Sequence, residues 1–159
     1  MHEIVIIIAK YFIAIPVLAT LVLWFKLPGK LKKQYVALLV LGAILTLALA
    51  KIGSKFFYDP RPFVVGHFTP YFAHGNDNGF PSDHTLLASL LAFAAARFSK
   101  KLALILLVVA VLIGFARVIA GVHHLVDVVG SMCFAAVGVV VAYFLLRAVY
   151  RRPDTAQIS

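Results

Sequence analysis

Acidic residues and cysteine are both scarce in this chain. It has six Asp and Glu against fifteen Lys and Arg, which gives a formal net charge of +9. Its one cysteine, Cys133, excludes an internal disulfide and with it the small disulfide-stapled domains. Low-complexity segments, internal repeats and long linkers are also absent from the sequence. An excess of basic residues can indicate nucleic-acid binding, so their positions along the chain have to be considered.

Apolar residues, by contrast, are in excess. They make up 63% of the 159 residues, with a mean hydropathy of +1.00, whereas soluble domains are about 45–50% apolar. This excludes an ordinary soluble domain. Only helices and closed barrels satisfy every backbone group in lipid. We therefore predict an all-α integral membrane protein with a single domain, residues 1–159, that forms a bundle of about five transmembrane helices over residues 4–25, 35–52, 83–98, 102–120 and 124–147.

The basic residues alternate between the connections. Ten of them fall in the first and third connections and after the last segment: Lys26, Lys30, Lys32, Lys33, Arg97, Lys100, Lys101, Arg147, Arg151 and Arg152. The positive-inside rule places these in the cytoplasm and the N-terminus outside. The charge is then an orientation signal, and no nucleic-acid partner is predicted.

The start "MHEIV" lacks a basic leader, which favours a membrane anchor over a signal peptide. Lys10 is predicted to snorkel to the outer interface, with a functional role as the alternative.

Three polar stretches fall on the predicted outer side: "KFFYDPRP" (55–62), "PSDH" (81–84) and "RVIAGVHHLVD" (117–127). Ionisable groups inside a membrane are costly, so function is the default hypothesis for them. His123 and Asp127 are four residues apart and would share a helical face. The carboxylate would then fix the imidazole tautomer and leave the other ring nitrogen as a base or nucleophile. Gly121 permits a tight turn that could return Arg117 to the imidazole.

The remaining two stretches supply groups that bind anions. Ser82 follows Pro81 and is a good N-cap, and free N–H groups at a helix start bind phosphate. His84, in the first turn, would face the same anion; an ordinary capped helix is the plain alternative. Arg61 lies between two prolines and could clamp an anion together with Arg117, although a single arginine here could equally contact lipid headgroups. Together the stretches predict a phosphoryl-transfer site near the extracytoplasmic surface.

At these residues the chain resembles the type 2 phosphatidic acid phosphatase superfamily, which contains membrane lipid phosphatases and soluble haloperoxidases. The family motifs are Lys-x6-Arg-Pro, Pro-Ser-x-His and Ser-Arg-x5-His-x3-Asp. The second is intact here as 81–84, and the third matches from Arg117 to Asp127, with Ala116 in place of the usual serine. The first departs, because five residues rather than six separate Lys55 from Arg61.

The resemblance implies a role for each matched residue. His123 would attack phosphorus and form a phosphohistidine, Asp127 would orient His123, and His84 would protonate the leaving group and then activate water. The phosphate oxygens would be held by Arg61, Arg117, Ser82, the backbone amides of Asp83 and His84, and, despite its irregular spacing, Lys55. The family implies neither a metal nor a cofactor.

Two stretches of the sequence point to one group of enzymes within this superfamily. "HGNDNGFPSDHT" and "FYDPRPFV" look most like the bacitracin-resistance-type undecaprenyl pyrophosphate phosphatases, which release phosphate from the undecaprenyl carrier at the outer face of the bacterial cytoplasmic membrane for recycling in wall synthesis. Phosphatidylglycerophosphate phosphatases share the three motifs. The implied partners are therefore a polyprenyl or phospholipid phosphate and the lipid bilayer, while the oligomeric state is left open. The family usually has six membrane helices, one more than predicted here.

Two other functions fit parts of the sequence. A metal hydrolase would use His84, His123, His124 and Asp127, but the two adjacent histidines diverge on a helix and make a poor ligand set. A small membrane transporter would use the charges as an ion path, but they cluster at one face. The aromatic residues of the 63–80 connection are predicted to anchor at the interface, with contact to the lipid chain as the alternative. His67 and His74 are predicted to be loop residues.

Overall fold

The computed structural model describes residues 2–150, and every regular element in that range is a helix. This confirms the predicted all-α class. In chain order the helices are α1 (His2–Tyr11), α2 (Ala14–Lys26), α3 (Gly29–Phe56), α4 (Pro62–Val65), α5 (Asp83–Ala95), α6 (Lys100–Ile119) and α7 (Leu125–Tyr150). The predicted cytoplasmic residues Arg151 and Arg152 lie outside the described range.

Four helical stretches are long and apolar enough to cross a bilayer: His2–Lys26, which contains α1 and α2, then Gly29–Phe56, Lys100–Ile119 and Leu125–Val149. The chain is a multi-pass membrane protein. The predicted segment at 83–98 corresponds to α5, which has 13 residues and is about 20 Å long. That is shorter than a hydrocarbon core of about 30 Å. Within residues 2–150, the bundle therefore consists of four long helical stretches and the short helix α5.

The first apolar segment is broken into two helices, which the prediction of one helix over 4–25 did not include. α1 ends at Tyr11 and α2 begins at Ala14. Pro16 has no N–H, so the carbonyl of Phe12 has no donor four residues on. That carbonyl instead accepts from the amide of Ile15 at 3.0 Å, a tighter turn. The break follows from a single proline.

The short helix α5 lies at the centre of the bundle, in contact with α2, α3, α6 and α7. Nine of its residues are buried, among them Ala88, Ala92 and Ala95. A helix that is apolar on all sides is typical of a buried position. Small side chains let neighbouring helices approach closely. The first turn of α5, which carries His84, is thereby held among the other helices.

α3 and α7 pack together most closely at Gly138. A Cβ atom at this position would overlap Oγ1 of Thr46 and lie 2.8 Å from the Thr46 backbone nitrogen. Close backbone contact at a small residue is typical of helix pairs in membranes, where no hydrophobic effect drives association. The contact fixes α3, and the polar segment that follows it, against α7.

Candidate active site

The buried Arg, His and Asp side chains of residues 2–150 lie at one end of the bundle, together with a buried serine. They are Arg61, Ser82, Arg117, His123 and Asp127, and each is at most 5% exposed. They come from the connection after α3, the start of α5, the end of α6, the α6–α7 connection and the first turn of α7. Five separate parts of the chain thus converge on one region, as the three polar stretches predicted.

His123 and Asp127 form the innermost pair. His123 Nδ1 lies 3.1 Å from Asp127 Oδ2, and the same oxygen accepts the backbone N–H of His124 at 2.8 Å. The spacing predicted that His123 lies on the same helix as Asp127, but His123 precedes α7 by two residues. Gly121, at φ +77°, makes the turn that brings His123 to Asp127. With the Nδ1 proton donated to the carboxylate, the Nε2 lone pair is free. Burial lowers the pKa of His123, and the hydrogen bond with Asp127 opposes this shift. The lowered pKa favours a neutral imidazole.

Arg61 lies at the free nitrogen of this imidazole. Its Nη1 is 3.4 Å from His123 Nε2 and donates to the carbonyl of Val122 at 2.9 Å. Its Nε donates to Asp77 Oδ1 at 2.9 Å, and this hydrogen bond lowers the pKa of Asp77. The guanidinium is therefore fixed before any ligand binds. An anion that met His123 Nε2 would meet a buried positive charge at the same point.

Arg117 reaches the same region through a residue that the sequence did not single out. Its Nη1 donates to the carbonyl of Ala9 at 3.3 Å, and its Nη2 lies 3.1 Å from His74 Nε2. The His74 ring is 6.1 Å from the His123 ring, centroid to centroid. Burial lowers the pKa of His74, as do the charges of Arg61 and Arg117, so a neutral ring accepts from Arg117. His74, predicted to be a loop residue, thus lies between the arginine and the catalytic candidate.

The start of α5 is tied to α7. Ser82 occupies the N-cap position, but its side chain makes no capping hydrogen bond; its Oγ accepts from Thr85 Oγ1 at 3.2 Å instead. The Ser82 amide donates to the carbonyl of Asp127 at 3.4 Å, and Ser131 Oγ donates to the carbonyl of Ser82 at 2.9 Å. The predicted position of the cap is therefore right, and the predicted use of its hydroxyl in capping is wrong.

His84 projects from the first turn of α5 and is half-buried. Two residues earlier, the Ser82 amide donates to the carbonyl of Asp127, which places this turn beside the His123–Asp127 pair. Within residues 2–150 the His84 side chain forms no hydrogen bond with protein. Its imidazole is therefore available to a ligand.

A family profile described as the PAP2 superfamily matches residues 34–154. The chain belongs to this superfamily. The resemblance drawn from the three motifs is thereby confirmed, and the chain is a phosphoric ester hydrolase.

The PAP2 chain is also similar to three curated bacterial proteins. It is 28% identical to undecaprenyl-diphosphatase BcrC of Bacillus subtilis (strain 168), over 86% of this chain and 70% of that protein. It is 30% identical to the bacitracin transport permease protein BcrC of Bacillus licheniformis, over 91% and 70% of the two chains. It is 29% identical to the putative undecaprenyl-diphosphatase YbjG of Escherichia coli (strain K12), over 93% and 75%.

Two solved structures share the fold. Aquifex aeolicus LpxE superposes with a TM-score of 0.64 at 22% identity, covering 89% of this chain and 93% of its own. A transmembrane PAP2-type phosphatidylglycerolphosphate phosphatase from Bacillus subtilis superposes with a TM-score of 0.65 at 23% identity, covering 96% of this chain and 79% of its own. At these identities the likeness establishes the architecture only.

The first motif departs from the PAP2 pattern in space as well as in spacing. Lys55 lies in the last turn of α3, is exposed, and makes no hydrogen bond within residues 2–150 to Arg61 or to any other site residue. Lys10, by contrast, contacts the same aromatic ring as Arg117. The Lys10 amine is 5.4 Å from the centroid of the Phe72 ring, and the Arg117 guanidinium is 5.8 Å from it. The structure brings Arg61, Arg117, His84 and His123 together, and it does not bring Lys55 to them.

Asp59 is a second residue that sequence reasoning missed. Its Oδ2 lies 2.9 Å from His124 Nδ1, and donor atoms of Asp59, His124 and Asp127 all lie within 4.8 Å of one another. Burial raises the pKa of Asp59, and the hydrogen bond with His124 opposes this shift. Two carboxylates and an imidazole are acceptable ligands for a divalent cation. However, Asp127 Oδ2 is already engaged by His123 and by the His124 amide.

Asn78 fixes the connection that carries Asp77 and His74. Its side-chain oxygen accepts the amides of Asp59 at 2.9 Å and Phe80 at 3.0 Å. Its side-chain nitrogen donates to the carbonyls of Ser54 and Phe57, both at 3.1 Å. The stretch "HGNDNG" contained a signal for this role, because Asn and Asp flanked by Gly commonly bond to nearby backbone.

Proposed function

We propose that the chain is a single membrane-embedded phosphatase domain that converts undecaprenyl pyrophosphate to undecaprenyl phosphate through a phosphohistidine at His123. The observation that carries the proposal is the His123 imidazole, held by Asp127 at one nitrogen and facing Arg61 with the other. A phosphatidylglycerophosphate phosphatase, or another lipid monophosphate phosphatase, is the alternative within the same chemistry.

The proposed reaction has two steps. His123 Nε2 attacks the terminal phosphorus, the bond from that phosphorus to the bridging oxygen breaks, and undecaprenyl phosphate leaves with the proton that protonated His84 gives to that oxygen. Neutral His84 then takes a proton from water, the hydroxide attacks phosphorus, and the P–N bond breaks to release phosphate. Arg61, Arg117, Ser82 and the backbone amides of Asp83 and His84 hold the oxygens whose charge grows in each transition state.

The names of the curated relatives and the charge pattern support the substrate and the orientation. Two relatives are named as diphosphatases of undecaprenyl lipids. The basic connections favour a cytoplasmic C-terminus, an external N-terminus and a site at the outer surface of the bacterial cytoplasmic membrane. An enzyme so placed would recycle the carrier used in peptidoglycan synthesis. It would also contribute to bacitracin resistance, provided that bacitracin captures the diphosphate form.

A phosphate-release panel on detergent-purified protein tests the proposal. Undecaprenyl pyrophosphate, phosphatidylglycerophosphate, phosphatidic acid and a lipid A phosphate are compared at equal surface concentration. We expect the highest kcat/KM on undecaprenyl pyrophosphate. A higher kcat/KM on a monophosphate would contradict the proposed substrate but not the proposed mechanism. The absence of phosphate release from all four lipids would contradict both the substrate and the mechanism.

Asp127→Asn is expected to slow phosphate release by about 10²–10³-fold, since an amide no longer enforces the tautomer that frees Nε2. The loss should be smaller than that of His123→Ala because the nucleophile remains. The measurement is kcat on the preferred substrate, with trapping of acid-labile phosphoprotein. Equal losses in the two variants would give Asp127 a different role.

Arg61→Lys is expected to lower kcat/KM by about 10²-fold, because an ammonium cannot reproduce the fixed fork beside His123. Lys55→Ala should change it less than about 3-fold, since an exposed charge remote from the site contributes little. Steady-state kinetics on both variants make the comparison. A larger loss for Lys55→Ala than for Arg61→Lys would mean that the irregular first motif still reaches phosphate.

Chelators should leave the rate unchanged to within about 2-fold, and vanadate should inhibit, because a trigonal-bipyramidal oxyanion imitates attack at phosphorus. A cation among Asp59, His124 and Asp127 would bind the same carboxylate group that orients His123. Phosphate release is measured after dialysis against EDTA, with and without added Zn²⁺ or Mg²⁺. Loss of activity that metal restores would favour the metal-hydrolase alternative.

A transport function is the second candidate, and the name of the Bacillus licheniformis relative favours it. Proteoliposomes distinguish the two functions: substrate flux without phosphate release supports transport, and phosphate release without flux supports hydrolysis. The polar side chains described here gather at one end of the bundle, which fits a surface reaction better than a path across the membrane.

A further inference from the structure

A cavity of about 390 Å³ lies at the end of the bundle opposite the candidate site. It is formed where α3 begins and where α5 and α7 end. Arg97 and Arg147 line it together with Gln34 and Tyr143. The rest of its wall is apolar and consists of Leu38, Phe98 and Leu146. The first turn of α5 carries His84, and Arg97 lies two residues past the end of that helix. The cavity is thus separated from the catalytic candidates by the length of α5, about 20 Å.

This end of the molecule has no counter-charge within residues 2–150. The cations are Lys26, Lys30, Lys32, Lys33, Arg97, Lys100, Lys101 and Arg147. The carboxylates of the described residues are those of Glu3, Asp59, Asp77, Asp83 and Asp127, and all belong to the segments at the opposite end. The ion pairs within that range likewise lie there. Within the described residues, no carboxylate is therefore placed to neutralise Arg97 and Arg147.

The cavity continues into an apolar groove of about 320 Å³ that shares Leu38, Arg97 and Tyr143 with it. The groove runs along α5 and α7 and is lined by Phe93, Val139, Val140 and Phe144. Val140 is 52% exposed and Phe144 58% exposed, so the groove opens sideways toward the surrounding lipid. A pair of cations leading into an apolar channel has the polarity of a phospholipid: an anionic headgroup followed by an acyl chain.

We propose that this groove binds an anionic phospholipid, with its phosphate between Arg97 and Arg147 and one acyl chain along the Phe93 and Phe144 side. A neutral or purely polar ligand would leave either the guanidinium pair or the apolar channel unused. Because the groove touches α3, α5 and α7 together, the bound lipid stabilises the packing of the central helix. It is not a substrate in this position, because His123 lies at the other end of the bundle.

Native mass spectrometry and thermal unfolding of the full chain test the proposal without measuring phosphate release, so its failure would not touch the proposed function. Phosphatidylglycerol and phosphatidylcholine with the same acyl chains are compared, with glycerol 1-phosphate as the headgroup alone. We expect the wild-type chain to retain phosphatidylglycerol at least about 10-fold more tightly than phosphatidylcholine and to unfold at a higher temperature with it. Glycerol 1-phosphate should have no comparable effect.

Matched variants locate the effect. The Arg97→Gln/Arg147→Gln chain should lose the 10-fold preference, and Lys100→Gln/Lys101→Gln, which removes equal charge at the same end but outside the cavity, should keep it. Val140→Trp fills the apolar groove, leaves both arginines, and should weaken retention of either lipid. Equal retention of the two lipids by the wild type, equal losses in the two double variants, or an equal effect of glycerol 1-phosphate would each overturn the proposal. The Val140→Trp result applies even if the arginine variant fails to fold.

Discussion

Replacement of His123 by alanine is expected to lower kcat on the preferred lipid phosphate by at least about 10⁴-fold, since no nitrogen remains to form the bond to phosphorus. The substitution removes one partner of Asp127 Oδ2, but the His124 amide still donates to that oxygen at 2.8 Å. The buried carboxylate therefore keeps a hydrogen bond, and the fold should survive. Phosphate release by the purified variant, together with its thermal unfolding and elution volume, gives the measurement.

His67→Asn is the matched control for this variant. His67 is an exposed histidine at the same end of the bundle, at φ +50°, a backbone conformation that Asn tolerates well. Its substitution should leave kcat within about 2-fold of the wild type, as expected for a surface position. If His123→Ala retained wild-type turnover, the phosphohistidine mechanism would be excluded. Labelling strengthens the comparison: the wild type quenched in base should carry phosphate on histidine, and His123→Ala should carry none.

The fold could be read from the sequence because its main signals are local. Apolar runs of roughly bilayer length predicted the long helices, and a shorter apolar run at 83–98 predicted α5. The break at Phe12 and Ile13 could have been found as well, since Pro16 removes a donor that the preceding turn needs. Hydropathy averages over a window of residues and does not register the loss of one hydrogen bond. The four-residue helix α4 is also too short to be detected by hydropathy averaged over a window.

The site was predictable where one short stretch contains both partners of a contact. His123 and Asp127 are four residues apart, and Gly121 marks the turn that directs the histidine inward. Arg61 and the start of α5 could be selected by their chemistry, since a guanidinium group and the free N–H groups of a helix start both bind anions. The convergence of these residues needed only the alternation of helices, which puts their stretches at the same end of the bundle.

The missed residues make their contacts across long sequence separations. His74 pairs with Arg117 over 43 residues, and Asp59 pairs with His124 over 65 residues. Neither contact has a periodicity, because both partners lie in or beside irregular segments whose course depends on tertiary packing. The fold also explains why Lys55 is remote: one residue of displacement on a helix turns a side chain by about 100°. Lys10, from α1, lies beside the site loop because α1 packs against α6.

His84→Ala is expected to slow phosphate release by about 10³–10⁴-fold, and the size of the loss should depend on the leaving group. An alkoxide from phosphatidic acid needs a proton as it departs, whereas undecaprenyl phosphate from the diphosphate leaves as a stabilised anion. If His84 is the general acid, the loss in the first step is therefore larger on the monoester.

With p-nitrophenyl phosphate, whose leaving group needs no acid, the variant should show a burst of nitrophenolate and accumulate phosphoprotein, because attack by water still lacks its base. His84→Gln, which keeps a polar side chain in the first turn of α5, should behave like the alanine variant, whereas His67→Asn should match the wild type. Losses that are equal across all three substrates, without a burst, would make His84 a residue that shapes the pocket and would require another proton donor.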